Sequence, residues 1–98
     1  MYNLFLDDCR SLIDNEIIVV RSYEEFVNKI ETCGLPESIS FDHDLGLDKS
    51  GADCAHWLVN YCIKNKKSLP LWSIHSGNMI GAANIRSIFL TFEKYFDF

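Results

Sequence analysis

Three short apolar runs in this chain each stop abruptly on polar, chemically competent residues. Leu4-Phe5-Leu6 runs into Asp7-Asp8, Ile39-Ser40-Phe41 into Asp42-His43-Asp44, and Leu71-Trp72-Ser73-Ile74 into His75-Ser76. A further run, Ile17-Ile18-Val19-Val20, is β-branched throughout and reads as another strand. Runs this short are strands and not membrane spans, because a bilayer needs ~20 consecutive apolar residues. The first run also meets Asp7 and Asp8 before the apolar region of a secretory signal can form.

Helical periodicity fills the spaces between them. Ser22 reads as an N-cap with Glu25 completing a capping box, Phe26, Ile30 and Cys33 form the apolar stripe, and Gly34 ends the helix. A second helix begins at about Ala52, with Ala55, Leu58, Val59, Cys62 and Ile63 on one face and Lys64, Lys66 and Lys67 at its end. After a loop from Gly77 to Gly81, a third begins at about Ala82 and carries Ile85, Ile88, Phe89 and Phe92. Trp57, Trp72 and the Phe-rich end of the chain are expected in the core. Strands alternating with helices imply an α/β protein: a small three-layer, mainly parallel sheet of about four strands. At 98 residues the expectation is one domain, 1–98. One join is unusual. Residues Cys9 to Glu16 are too few for a crossover helix, so the direction of the second strand stays open.

Composition narrows the function classes. With 48% hydrophobic residues the chain is a folded globule and not a disordered one. The net charge is −5, and most of it resides in Asp7, Asp8, Asp42, Asp44, Asp48 and Asp53, accompanied by Arg10 and Lys49. A local acidic cluster of this kind excludes gripping duplex DNA through a broad basic face. It points to a cation, or to a phosphate reached through a cation. The cysteines, Cys9, Cys33, Cys54 and Cys62, include no closely spaced pair, which argues against structural zinc and for a reducing, cytoplasmic setting.

In open α/β sheets, ligands sit outside the carboxyl ends of the strands. If the acidic runs are parallel, Asp7, Asp8, Asp42 and Asp44 meet at one sheet edge. Carboxylates crowded there repel one another unless a cation neutralises them, and hard oxygen donors suit Mg²⁺ or Mn²⁺. Arg10 is placed to hydrogen-bond a phosphate, with Ser76 and Asn78 as further contacts. His75, at a strand end beside acids, has its charged form favoured and suits a general acid. Period-2 alternation puts Asp42 and Asp44 on one side and His43 on the other, where it is a packed or surface histidine.

These segments resemble a known family. Leu-Phe-Leu-Asp7-Asp8 is similar to the first strand of response-regulator receiver domains, whose paired acids bind Mg²⁺. Asp44-Leu45-Gly46-Leu47, with Gly51 opening a helix, resembles the segment after their phosphoacceptor. Pro70-Leu-Trp-Ser-Ile-His75-Ser76 resembles their fourth strand, which carries Thr or Ser where His75 stands. The first receiver helix is missing, and the chain ends before a fifth strand with the family's Lys. The combination Leu-Asp-Asp-x-Arg, Phe-Asp-His-Asp-Leu and His-Ser-x-Asn is closer to the cyclic-phosphate-processing receiver-like domains of phage and bacterial genomes. The resemblance implies a truncated receiver-like (flavodoxin-like) fold and metal-dependent handling of cyclic phosphates in RNA repair. The phosphoacceptor position stays open: Leu45-Gly46-Leu47 favours Asp44, the end of the apolar strand favours Asp42.

The expectation is therefore a metal-dependent phosphoesterase-like domain acting on a small phosphorylated substrate or an RNA terminus. Asp7, Asp8 and one or both of Asp42 and Asp44 hold Mg²⁺ or Mn²⁺, with Asp42, Asp44 and His75 as catalytic groups. Water or an Asp carboxylate attacks phosphorus, and His75 protonates the leaving oxygen. Two alternatives stand beside it: a signalling module that accepts phosphate on Asp, and a non-catalytic interaction protein with a protein partner.

Overall fold

In a computed structural model, which describes residues 2–6, 17–41, 51–74 and 79–96, all four apolar runs form strands. They are β1 (Asn3–Leu6), β2 (Ile17–Val20), β3 (Ser38–Phe41) and β4 (Leu71–Ile74). The sheet order is β2-β1-β3-β4 and every pairing is parallel, which settles the direction of β2. The register is continuous: Leu6 lies opposite Val20 on one side and Phe41 on the other, and Phe41 opposite Ile74.

The chain moves outward from β1 to β2, then returns past β1 to β3 and on to β4. Right-handed crossovers after that reversal put the following helices on one face. The packing agrees. Leu4, Leu6, Ile39 and Phe41 alternate onto that face and are at most 1% exposed, in one cluster with residues of all three helices. Phe41 lies 6.3 Å from the ring of Phe26 and 5.5 Å from that of Phe89, and Trp72 lies 5.1 Å from Phe89. The described elements thus supply the sheet and one helical layer. The crossover from β1 to β2, residues 7–16, lies outside the described residues. On the other face Asn3 and Ser38 are neighbours in register, and the Ser38 hydroxyl donates to Asn3 Oδ1 at 2.6 Å.

Helix α1 (Tyr23–Cys33) has both expected ends. Ser22 Oγ accepts the Glu25 N–H at 3.1 Å, and its hydroxyl approaches Glu25 Oε2 at 3.5 Å. Gly34 closes the helix at φ +82°, where a side chain would be strained, with its N–H donating to the Ile30 carbonyl at 2.8 Å. Cys33 departs from the expected stripe and is exposed. The helix ends level with Tyr2, whose hydroxyl donates to the Gly34 carbonyl, so Cys33 falls beyond the amino edge of the sheet.

Helix α2 (Gly51–Asn65) buries Cys54, Ala55, Leu58 and Cys62, while Val59 and Ile63 are half-buried. Helix α3 (Met79–Tyr95) buries Ile85, Phe89 and Phe92. It begins three residues before the expected Ala82, so Met79 to Gly81 are helical and not loop. Trp57 and Trp72 are half-buried and pack against the core, and Tyr95 and Phe96 are exposed.

Candidate functional site

The carboxyl edge of the sheet is where the sequence-derived site residues should collect. Leu6, Phe41 and Ile74 end three adjacent strands in register, so at the ~4.8 Å spacing of neighbouring strands these ends span about 10 Å. The chain leaves them into Asp7-Asp8, Asp42-His43-Asp44 and His75-Ser76 respectively. Asp7, Asp8, Arg10, Asp42, Asp44, His75, Ser76 and Asn78 themselves lie outside the described residues. What is described is the frame that precedes them. Leu6 and Phe41 are 0% and 1% exposed, anchored in the core; Ile74 is half-buried.

Two helices begin after these segments. The first turn of α2 rests directly on the end of β3. A Cβ added at Gly51 would stand 2.9 Å from Ile85 Cδ1 and 3.9 Å from Phe41 Cδ1. A side chain there would meet Phe41 at ordinary contact distance and would have to push the end of the Ile85 side chain aside. The sequence marks Gly51 as a helix opener, but its closeness to Ile85 on another helix leaves no local signal.

The helix starts differ electrostatically. The first turn of α1 carries Glu24 and Glu25, and that of α2 carries Asp53. The first turn of α3 carries no acid. Helix N-termini favour negative charge, and α1 and α2 supply it from their own side chains. The start of α3, directly after His75-Ser76-Gly77-Asn78, leaves that preference to something else. Arg21, one residue past Val20, adds a cation at the same edge and is exposed.

The described thiols of α2, Cys54 and Cys62, are closed off from solvent. Burial pushes the Cys54 thiol up to about 12, helped by Asp53 and Glu24, and the Cys62 thiol up to about 11 against an opposing Lys67. Both remain protonated at neutral pH and are poor ligands for a soft metal. Among the described residues no group of His, Cys, Asp or Glu is arranged to hold a metal ion. None of their helices is long and apolar enough to cross a membrane.

No curated protein and no solved structure matches the chain. A family model does: that of the cyclic-phosphate processing receiver domain matches residues 2–91.

Proposed function

The chain belongs to the cyclic-phosphate processing receiver domains, and from that premise we propose that it is a divalent-metal-dependent phosphoesterase acting on cyclic or terminal phosphates. The substrate is a small phosphorylated molecule such as a nucleotide, or an RNA terminus. One observation carries the reading: Leu6, Phe41 and Ile74 stand in register on neighbouring parallel strands, and each is followed by acids or a histidine.

The donor set fits Mg²⁺ or Mn²⁺. The acids that follow two adjacent strand ends are hard oxygen ligands, and the buried thiols Cys54 and Cys62, held protonated, would not compete for the ion. Asp7, Asp8 and one or both of Asp42 and Asp44 would hold the ion. It would supply neutralising charge and polarise a phosphoryl oxygen. Arg10, Ser76 and Asn78 bind and orient the phosphate, supported by the N-terminus of α3 with its acid-free first turn. His75 donates a proton to the leaving oxygen as the phosphate ring opens or the ester breaks. The nucleophile is water, or the carboxylate of Asp42 or Asp44.

The test is to incubate the protein and Mg²⁺ with a 2′,3′-cyclic nucleotide and, separately, with acetyl phosphate, following both by phosphorus NMR. Ring opening is expected. His75→Ala should lower that rate about a hundredfold or more while leaving the metal-induced rise in melting temperature in place. Asp42→Asn should abolish the thermal shift. A stable acyl phosphate without ring opening would make the protein a phospho-accepting module. If neither product forms, the protein is not a catalyst of this chemistry.

A further inference from the structure

The described strands form a sheet with two edges, β2 and β4. At β2, Ile18 and Val19 are half-buried. At β4, Trp72, Ser73 and Ile74 are half-buried too, but Leu71 is 74% exposed, and no described strand lies beyond it. Edge strands are normally blunted by charge, proline or a covering element. Leu71-Trp72-Ser73-Ile74 contains no charge and no proline.

Backbone geometry says which groups face outward. The Leu71 N–H donates to the Glu37 carbonyl at 3.3 Å, toward the β3 side. Alternation along the strand then turns the Ser73 peptide groups toward β3 and those of Trp72 and Ile74 away from it. Helix α3 borders the same edge. Glu93 Oε1 accepts the Trp72 indole N–H at 3.0 Å, which fixes the side of α3 that faces β4. Arg86 lies seven residues earlier, two turns along the same side and about 10 Å nearer the carboxyl edge. Leu90, 52% exposed, lies between them in sequence.

We propose that a second copy of this chain pairs with β4 in antiparallel fashion, around a two-fold axis through Ser73. That axis sets Trp72 opposite Ile74 of the second copy and Ile74 opposite its Trp72. These are the residues whose N–H and C=O face outward, so the pairing satisfies all of them. The same rotation reverses the order of the charges on α3, bringing each Arg86 toward the other copy's Glu93. An interface of this symmetry must be self-complementary, and here hydrogen-bonding groups and charge both are. A parallel strand from another protein would match the backbone but give Arg86 and Glu93 no partners. Because the sheets run oppositely, their carboxyl edges point in opposite directions.

Sedimentation equilibrium from micromolar to millimolar concentration should show a reversible dimer. Arg86→Glu should weaken it about tenfold or more, since each like-charge contact occurs twice. The exchanged variant, Arg86→Glu with Glu93→Arg, should recover wild-type association. Hydrogen exchange of the Trp72 and Ile74 amides should slow as concentration rises, which tests the strand pairing without any substitution. A monomer at millimolar concentration, a dimer indifferent to Arg86→Glu, no recovery in the exchanged variant, or amides that stay unprotected in the dimer would each overturn the proposal.

Discussion

Strands β3 and β4 are each four residues long, adjacent and parallel, and both lead into candidate site residues, yet they are held differently. β3 has a strand on both sides, and Ile39 and Phe41 are 1% exposed. β4 has a described strand on one side only; Leu71 is 74% exposed and Trp72, Ser73 and Ile74 are half-buried. The helices differ in the same way. α2 buries Cys54, Ala55, Leu58 and Cys62, whereas α3 leaves Ile80 78% and Leu90 52% exposed. Similar apolar content therefore yields a rigid interior around β3 and α2 and a lightly covered rim at β4 and α3. The segment bearing Asp42 and Asp44 springs from the interior, and the one bearing His75 from the rim.

The largest effect that separates the two is expected at Phe41. Its ring packs with Phe26 on α1 and Phe89 on α3. Phe41→Ala should cost about 3–5 kcal/mol, read as the shift in urea midpoint at constant slope. A loss below about 2 kcal/mol would mean that the site frame does not depend on this ring.

A graded effect follows from the buried thiols of the interior. The folded-state pKa of Cys54 is raised to about 12 and that of Cys62 to about 11, against ordinary values of 9.0. Below pH 9 both states keep these protons and the contribution to stability is complete. As pH rises from 9 toward 12, the unfolded chain releases protons that the native state retains, and stability falls. Melting temperature should decline across that window, with Tyr2, whose phenol is pushed up to about 12 chiefly by burial, adding to the fall above pH 10. Cys54→Ala should be less stable at pH 8 but show a shallower alkaline decline. In the native protein a thiol reagent should label exposed Cys33 while sparing Cys54 and Cys62.

Much of this division was legible in the sequence, for identifiable reasons. The ends of α1 follow from side-chain chemistry local to the turn, so Ser22, Glu25 and Gly34 could be read directly. The strands could be read because apolar runs stop where the sheet stops. Exposure could not. Cys33 fits the stripe of α1 yet projects past the sheet, and Leu90 belongs to an apolar helix yet faces outward. Both depend on where other elements end. The direction of β2 was equally beyond local reading, because the ten residues between Leu6 and Ile17 permit either pairing. As for the site, the sequence marks the residues after the strand ends, and the structure adds the shared register from which those segments leave.

The rim supplies the middle and the smallest tests. Trp72→Phe keeps the ring contact with Phe89 but removes the indole N–H bond to Glu93, an exposed interaction worth about 1 kcal/mol or less. A thermal melt should register that loss as a small downward shift.

Leu71→Thr should do less still, and its near-neutrality sharpens the contrast with Phe41. Leu71 is 74% exposed, so little apolar surface leaves water when the chain folds. Threonine is β-branched and keeps the strand preference that leucine has. Its backbone N–H still donates to the Glu37 carbonyl, so the start of β4 stays tied to the end of the loop before β3. At micromolar concentration, where the second copy is dissociated, the change in unfolding free energy should stay within about 0.5 kcal/mol. A loss above about 1 kcal/mol would show Leu71 to be covered in the folded monomer, since surface substitutions away from packed contacts do not reach that size. The β4 edge would then be no rim, and the difference between the two strands would collapse.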